Sequence, residues 1–155
     1  MGKTISDKDY QFLSDRFTER NIRTLVSVPL VEGAESLIED LLKKAYVAIS
    51  SSAEIEEVKE RLANRRDCSR FKIILGSHGS FHKGFPHLEY ISKITGHLIE
   101  EMLMVGDEPS DFHLAREAGA KIALVAQTHA IGELAVLQPD ILAPTLAELR
   151  PYLLK

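Results

Sequence analysis

Five short apolar runs punctuate the chain: YVAIS (46–50), FKIIL (71–75), MLMV (102–105), KIALVA (121–126) and DIL (140–142), each bounded by Ser, Gly, Asp or Pro. They are too short to stand as helices. Several are apolar on consecutive residues, the pattern of parallel strands covered on both faces. Between them lie amphipathic stretches with helix punctuation. SSAEIEEVKERLANR pairs Ser51 with Glu54 as a capping box, and FPHLEYISKITG runs from Pro86 in its first turn to a stop at Gly96. EPSDFHLAREAG repeats the pattern with Pro109 and Gly119. TLAELRPYLL carries Thr145 and Glu148 as a further capping box, with Pro151 expected to kink or end the helix. The alternation predicts β-α-β-α-β-α-β, a doubly wound parallel α/β sheet of the Rossmann-like kind.

Composition narrows the partners. With 155 residues, 45% hydrophobic and 27% charged, the chain has the makings of one globular domain with a real core. Its 19 Lys+Arg against 23 Asp+Glu give a net charge of -4, and the basic residues are dispersed, which argues against nucleic acid. Cys68 is the one cysteine, so there is neither a disulfide framework nor a multi-cysteine metal site. It reads as a small packing residue in a reducing cytosol. No apolar stretch has the length of a membrane span and the first residues lack the apolar core of a signal peptide, so the expectation is a cytoplasmic protein.

In a doubly wound sheet the chemistry belongs just past the carboxyl ends of the strands. Three segments fall there: Ser50-Ser51-Ser52, the loop GSHGSFHKGFP with Lys83, and Gly106-Asp107-Glu108-Pro109-Ser110-Asp111. A hydroxyl and free N–H groups at a helix start suit an anion, a lysine adds positive charge, and paired carboxylates suit Mg²⁺. Each also has a plainer reading. Serines at this place cap helices, loop lysines are mostly solvated, and acids in a first helical turn complement the helix dipole. His78, His82 and His87 crowd one loop, but its glycines and the lack of a nearby acid or cysteine argue against zinc. His113 reads as an ordinary half-exposed helix residue.

The order AIS-S, then HKGFPHLEY, then VGDEPSDFHLAREAGA resembles the last three of the four motifs of the haloacid dehalogenase-like superfamily, in the branch of phosphoglycolate phosphatase and β-phosphoglucomutase. The likeness runs from about Val31 to Leu153. It implies that Ser50 bonds the transferring phosphoryl group, that Ser51 offers its backbone N–H, and that Lys83 balances charge. It further implies that Asp107 and, as its supporting acid, Asp111 hold Mg²⁺. Gly84 stands where the family has proline, with Pro86 two residues later. Residues 1–30 then resemble the end of a helical cap and its entry segment, and 31–155 the α/β core. The implied activity is Mg²⁺-dependent hydrolysis of a small phosphorylated metabolite; the alternative is a catalytically dead binding or assembly relative.

One motif departs from the family. The nucleophilic Asp-x-Asp at the end of a first apolar strand has no good counterpart. Asp7-Lys8-Asp9 follows Lys3-Thr4-Ile5-Ser6, which is no buried strand. Ser6 reads instead as the cap of a helix with Tyr10, Phe12, Leu13, Phe17 and Ile22 as its apolar stripe. In the family that strand lies between the ones ending at Ser50 and Asp107. Three outcomes are therefore open: the chain is a fragment, the two neighbours close up and pair, or the strand-like IRTLVSV (22–28) moves between them. Exposed apolar surface left by a missing cap would favour a homodimer.

Overall fold

The computed structural model describes residues 5–25, 28–63 and 70–154. Cys68 lies outside them. Strand β1 (Ala48–Glu54) pairs in parallel with β2 (Ile73–Ser77), in register from Ala48 opposite Ile73 to Ser50 opposite Leu75. The ladder is irregular beyond Ser50. A second sheet holds β3 (Leu103–Gly106), β4 (Lys121–Val125) and β5 (Ile141–Ala143), all parallel and in that order. The helices are α1 (Asp7–Leu25), α2 (Ala34–Leu41), α3 (Ile55–Ala63), α4 (Phe85–Thr95), α5 (Pro109–Ala118), α6 (Ile131–Ala135) and α7 (Leu146–Leu153). None is long and apolar enough to cross a membrane.

The core is built around β4. Ile122 and Leu124 are fully buried with Leu88 of α4, Ala115 of α5 and Leu134 of α6. Ala123 and Val125, pointing to the other face, are buried with Ala143 of β5 and Leu149 of α7. A consecutive apolar run is therefore what a strand covered on both faces requires. Arg150 of α7 pairs with Asp40 of α2, and Lys44 Nζ donates to the Leu154 carbonyl at 3.1 Å, tying the two ends of the core together.

Gly96 and Gly119 close α4 and α5 in the left-handed conformation with φ 77° and 82°, as their place after the helices predicts. Thr145 caps α7, its Oγ1 accepting from the Glu148 N–H at 3.2 Å. Three local expectations need correction. Ser51 and Glu54 do not cap a helix: both lie in β1, and α3 starts at Ile55. Pro151 does not end α7, which continues through Leu153 with the proline inside it. Residues 22–25 belong to α1 rather than to a strand, while 26–27 lie outside the described residues. The short helix α6 was not expected.

The two sheets do not merge. Among the described residues no ladder joins β1 to β3, so direct pairing of these strands does not occur. Each has a strand on one edge only. Val105 of β3 is 44% exposed, whereas Ile122, Ala123 and Leu124 of the neighbouring β4 are 0% exposed. The helix α1 is capped by Ser6, whose Oγ accepts from the Asp9 N–H at 3.2 Å. Its apolar residues Tyr10, Phe12, Leu13 and Phe17 are all exposed.

Candidate functional site

Strand β3 ends at Gly106, and the chain turns into α5 with Asp111 in its first turn. The Asp111 carboxylate folds back under the loop: its Oδ2 accepts from the N–H groups of Asp107 at 3.0 Å and Glu108 at 3.2 Å. These are orphan donors at a helix start, and a carboxylate there also complements the helix dipole. The fit demands glycine at position 106. A Cβ built on Gly106 would stand 2.1 Å from Asp111 Oδ2 and 2.4 Å from its Cγ. The sequence signal for this role was the glycine closing an apolar strand directly before an acid.

Lys83 reaches the same carboxylate. Its Nζ lies 2.5 Å from Asp111 Oδ1, with both side chains largely shielded from water. Such a pair holds its geometry because neither charge is screened and either one alone would be costly. The loop carrying Lys83 ends at Gly84, whose φ of 116° and ψ of -142° are open to glycine and closed to proline. The glycine in place of the family's proline is thus a change of backbone path as well as of side chain.

Asp107 differs from Asp111. Its N–H and carbonyl are engaged, the latter accepting from Thr128 Oγ1 at 3.1 Å, but its half-buried carboxylate has no hydrogen bond or ion pair among the described residues. No group of three or more His, Cys, Asp or Glu side chains gathers there or elsewhere among the described residues. A Mg²⁺ ion is commonly held by one or two carboxylates and completes its shell with water and phosphate oxygens. The free Asp107 carboxylate fits that mode, while both Asp111 oxygens are already hydrogen-bonded.

Ser50 is placed by a contact that the sequence did not reveal. Its Oγ lies 2.9 Å from Nδ1 of His87, a residue of the first turn of α4 with 0% exposure. The His87 ring packs on Phe81 with centroids 4.5 Å apart, and its Nε2 is buried without a hydrogen-bond partner. Burial lowers the His87 pKa below the usual 6.5; the Gly76 backbone opposes this, and the charges of His82 and Lys83 reinforce it. Ser51 Oγ turns away to accept the Ala53 N–H at 3.1 Å.

Helix α4 and the loop before it therefore link the three segments. Ser50 bonds His87, Lys83 four residues earlier bonds Asp111, and Asp111 shapes the Asp107 loop. Asp7 and Asp9 lie in the exposed first turn of α1, where Asp9 accepts from Ser6 Oγ at 2.6 Å. His113 is exposed on α5, its ring edge-on to Phe112.

The chain is 29% identical over 133 residues to a phosphoserine phosphatase from Methanocaldococcus jannaschii, which covers 77% of this chain and 63% of that protein. It thus spans less than two thirds of that relative's length. A HAD hydrolase of family IA, variant 3, from Entamoeba histolytica superposes with a TM-score of 0.84 at 23% identity, over 94% of this chain and 69% of the other. A predicted phosphoglycolate phosphatase from Haemophilus somnus gives 0.82 at 17% identity, over 97% and 69%. At such identities the two structures establish a shared fold, the parallel α/β core described above. The family model of the haloacid dehalogenase-like hydrolases matches residues 2–125, most of the chain, and the chain belongs to that family.

Proposed function

We propose that the chain is the phosphate- and metal-binding part of a phosphoric monoester hydrolase acting on a small phosphorylated metabolite. The observation that carries this reading is the shielded Lys83–Asp111 pair beside the unpaired Asp107 carboxylate. Lys83 supplies a fixed positive charge, and Asp111 holds both that lysine and the N–H groups of the loop. Asp107 is the ligand for Mg²⁺, which when bound would neutralise phosphate charge. Ser50 contacts a phosphoryl oxygen. Family membership and the phosphoserine phosphatase relative support the reaction class.

In-line attack on phosphorus needs a carboxylate facing the phosphate. Asp7 and Asp9, exposed on α1, are poorly placed to supply it. In this reading the nucleophile comes from outside this chain, on a strand that joins β1 to β3, and the chain by itself is inactive. Residues 1–30 then serve as the remnant of a cap, and the exposed apolar residues of α1 are the surface on which two copies pair. The open edges of β1 and β3 favour a second reading as well, a relative without activity that keeps an anion site.

The test is turnover of a generic aryl phosphate with and without Mg²⁺, by the chain alone and with a synthetic apolar peptide ending in Asp-x-Asp. Turnover that requires peptide and Mg²⁺ and is lost in Asp107→Asn is the expected result. Turnover by the chain alone, lost in the same variant, would return Asp7 and Asp9 to the nucleophile's role. No turnover under any condition, with inorganic phosphate still bound, would favour the inactive relative.

A further inference from the structure

The Ser50–His87 contact joins a site serine to a wholly buried imidazole, and it has two possible directions. Either Ser50 donates its hydroxyl hydrogen to Nδ1, or a protonated Nδ1 donates to Ser50 Oγ. The state of the other ring nitrogen separates them. Nε2 is buried without a hydrogen-bond partner. The Gly76 carbonyl, whose influence favours the charged ring, makes no hydrogen bond with Nε2, so a proton there would be a buried donor without an acceptor in bonding geometry, the rarer and costlier kind of orphan, whereas a bare lone pair is the milder one. A doubly protonated ring would add a buried charge with no carboxylate beside it.

We propose that His87 is a positioning residue for Ser50: its Nδ1–H donates to Ser50 Oγ and thereby directs the hydroxyl hydrogen at an anionic oxygen bound at the strand end. Ser50 Oγ makes no other hydrogen bond among the described residues, so its own hydrogen is available for that second partner. Phe81 packed at a tilt on the ring and the burial of His87 in the first turn of α4 hold the imidazole in place, and with Nδ1 protonated the serine has no acceptor there for its own hydrogen. The opposite direction would spend that hydrogen on Nδ1 and leave only lone pairs for a phosphate. This inference rests on the reading of Ser50 as a phosphoryl contact.

Two measurements test it. Long-range ¹H–¹⁵N correlation spectra of the intact chain report the tautomer; protonated Nδ1 with bare Nε2 is expected, and a downfield Nδ1–H signal should move in Ser50→Ala. A proton on Nε2, directed at the Gly76 backbone or elsewhere, would overturn the proposal. Inorganic phosphate affinity is then followed by ³¹P line broadening. Ser50→Ala and His87→Leu should each weaken it about fivefold, the double variant no further, and His87→Asn, which keeps a donor near the Nδ1 position, should stay within about twofold of wild type. Loss in Ser50→Ala with none in His87→Leu would overturn the positioning role and leave the reading of Ser50 standing. No loss in Ser50→Ala, or no phosphate binding at all, would overturn both.

Discussion

Asp107 and Asp111 sit four residues apart and do different work. Asp111 is buried and accepts from two N–H groups and Lys83, whereas Asp107 has an unengaged carboxylate. Lys83→Met should therefore cost about 3 kcal/mol in urea unfolding, because it strands a buried charge. Asp107→Asn should shift stability by less than about 0.5 kcal/mol. Equal effects from the two variants would contradict this division of labour. The sequence showed both acids and the lysine but ranked the acids together as metal ligands, since spacing alone does not say which carboxylate folds under the loop. His87 gives a pH dependence with a definite sign. Its native pKa lies below 6.5, so as pH falls below that value the unfolded chain takes up a proton that the native chain refuses, and stability drops. The urea midpoint should fall between pH 7.5 and about 5.5, a window above the usual carboxylate range, and His87→Leu should flatten that fall.

Among the elements, the helix ends and strand runs followed from local chemistry, and the exceptions have local causes. Gly96, Gly119 and Thr145 cap their helices where the pattern placed them. The serine run after Ile49 did not become a helix start, because the strand stays extended across an irregular stretch to Glu54, which pairs with Ser77, and Ser77 Oγ donates to the Ser52 carbonyl at 2.9 Å. Gly84 is the sharpest case. A proline there would match the family resemblance, yet the residue holds φ 116° with Leu114 Cδ2 only 2.9 Å from where a Cβ would stand. Gly84→Pro should consequently destabilise the chain by about 2 kcal/mol or more and raise the mobility of Lys83. A neutral or stabilising result in thermal unfolding would show that the loop has another path available.

The whole molecule is uneven in stability. Strand β4 is buried on both faces and paired on both edges, while among the described residues β1 and β3 each pair with a strand on one edge only. Hydrogen exchange should reflect this, with the amides of Ile122 to Leu124 protected longest and those of β1 exchanging through smaller openings. Uniform protection across both sheets would mean that β1 and β2 are held by contacts stronger than their exposure suggests. The same open edges separate the two readings of function. In one, a strand bearing a nucleophile pairs with them; in the other, the β3–β4–β5 core stands in a chain that catalyses nothing.

Taken alone, the sequence determined what depends on neighbours along the chain. Runs of apolar residues set the strands, glycine, proline and threonine set the helix ends, and three segments at strand ends set the resemblance to the family. Only the tertiary structure decided what depends on residues far apart. Asp111 takes Lys83, 28 residues away, and Ser50 takes His87, 37 residues away. Gly106 must lack a side chain because a carboxylate from the next helix occupies that space. Neither do β1 and β3 close on each other, although the sequence left that open. Such contacts follow from packing of whole layers, where a hydrogen bond or a clash is settled by distances of a few tenths of an ångström that no local pattern encodes.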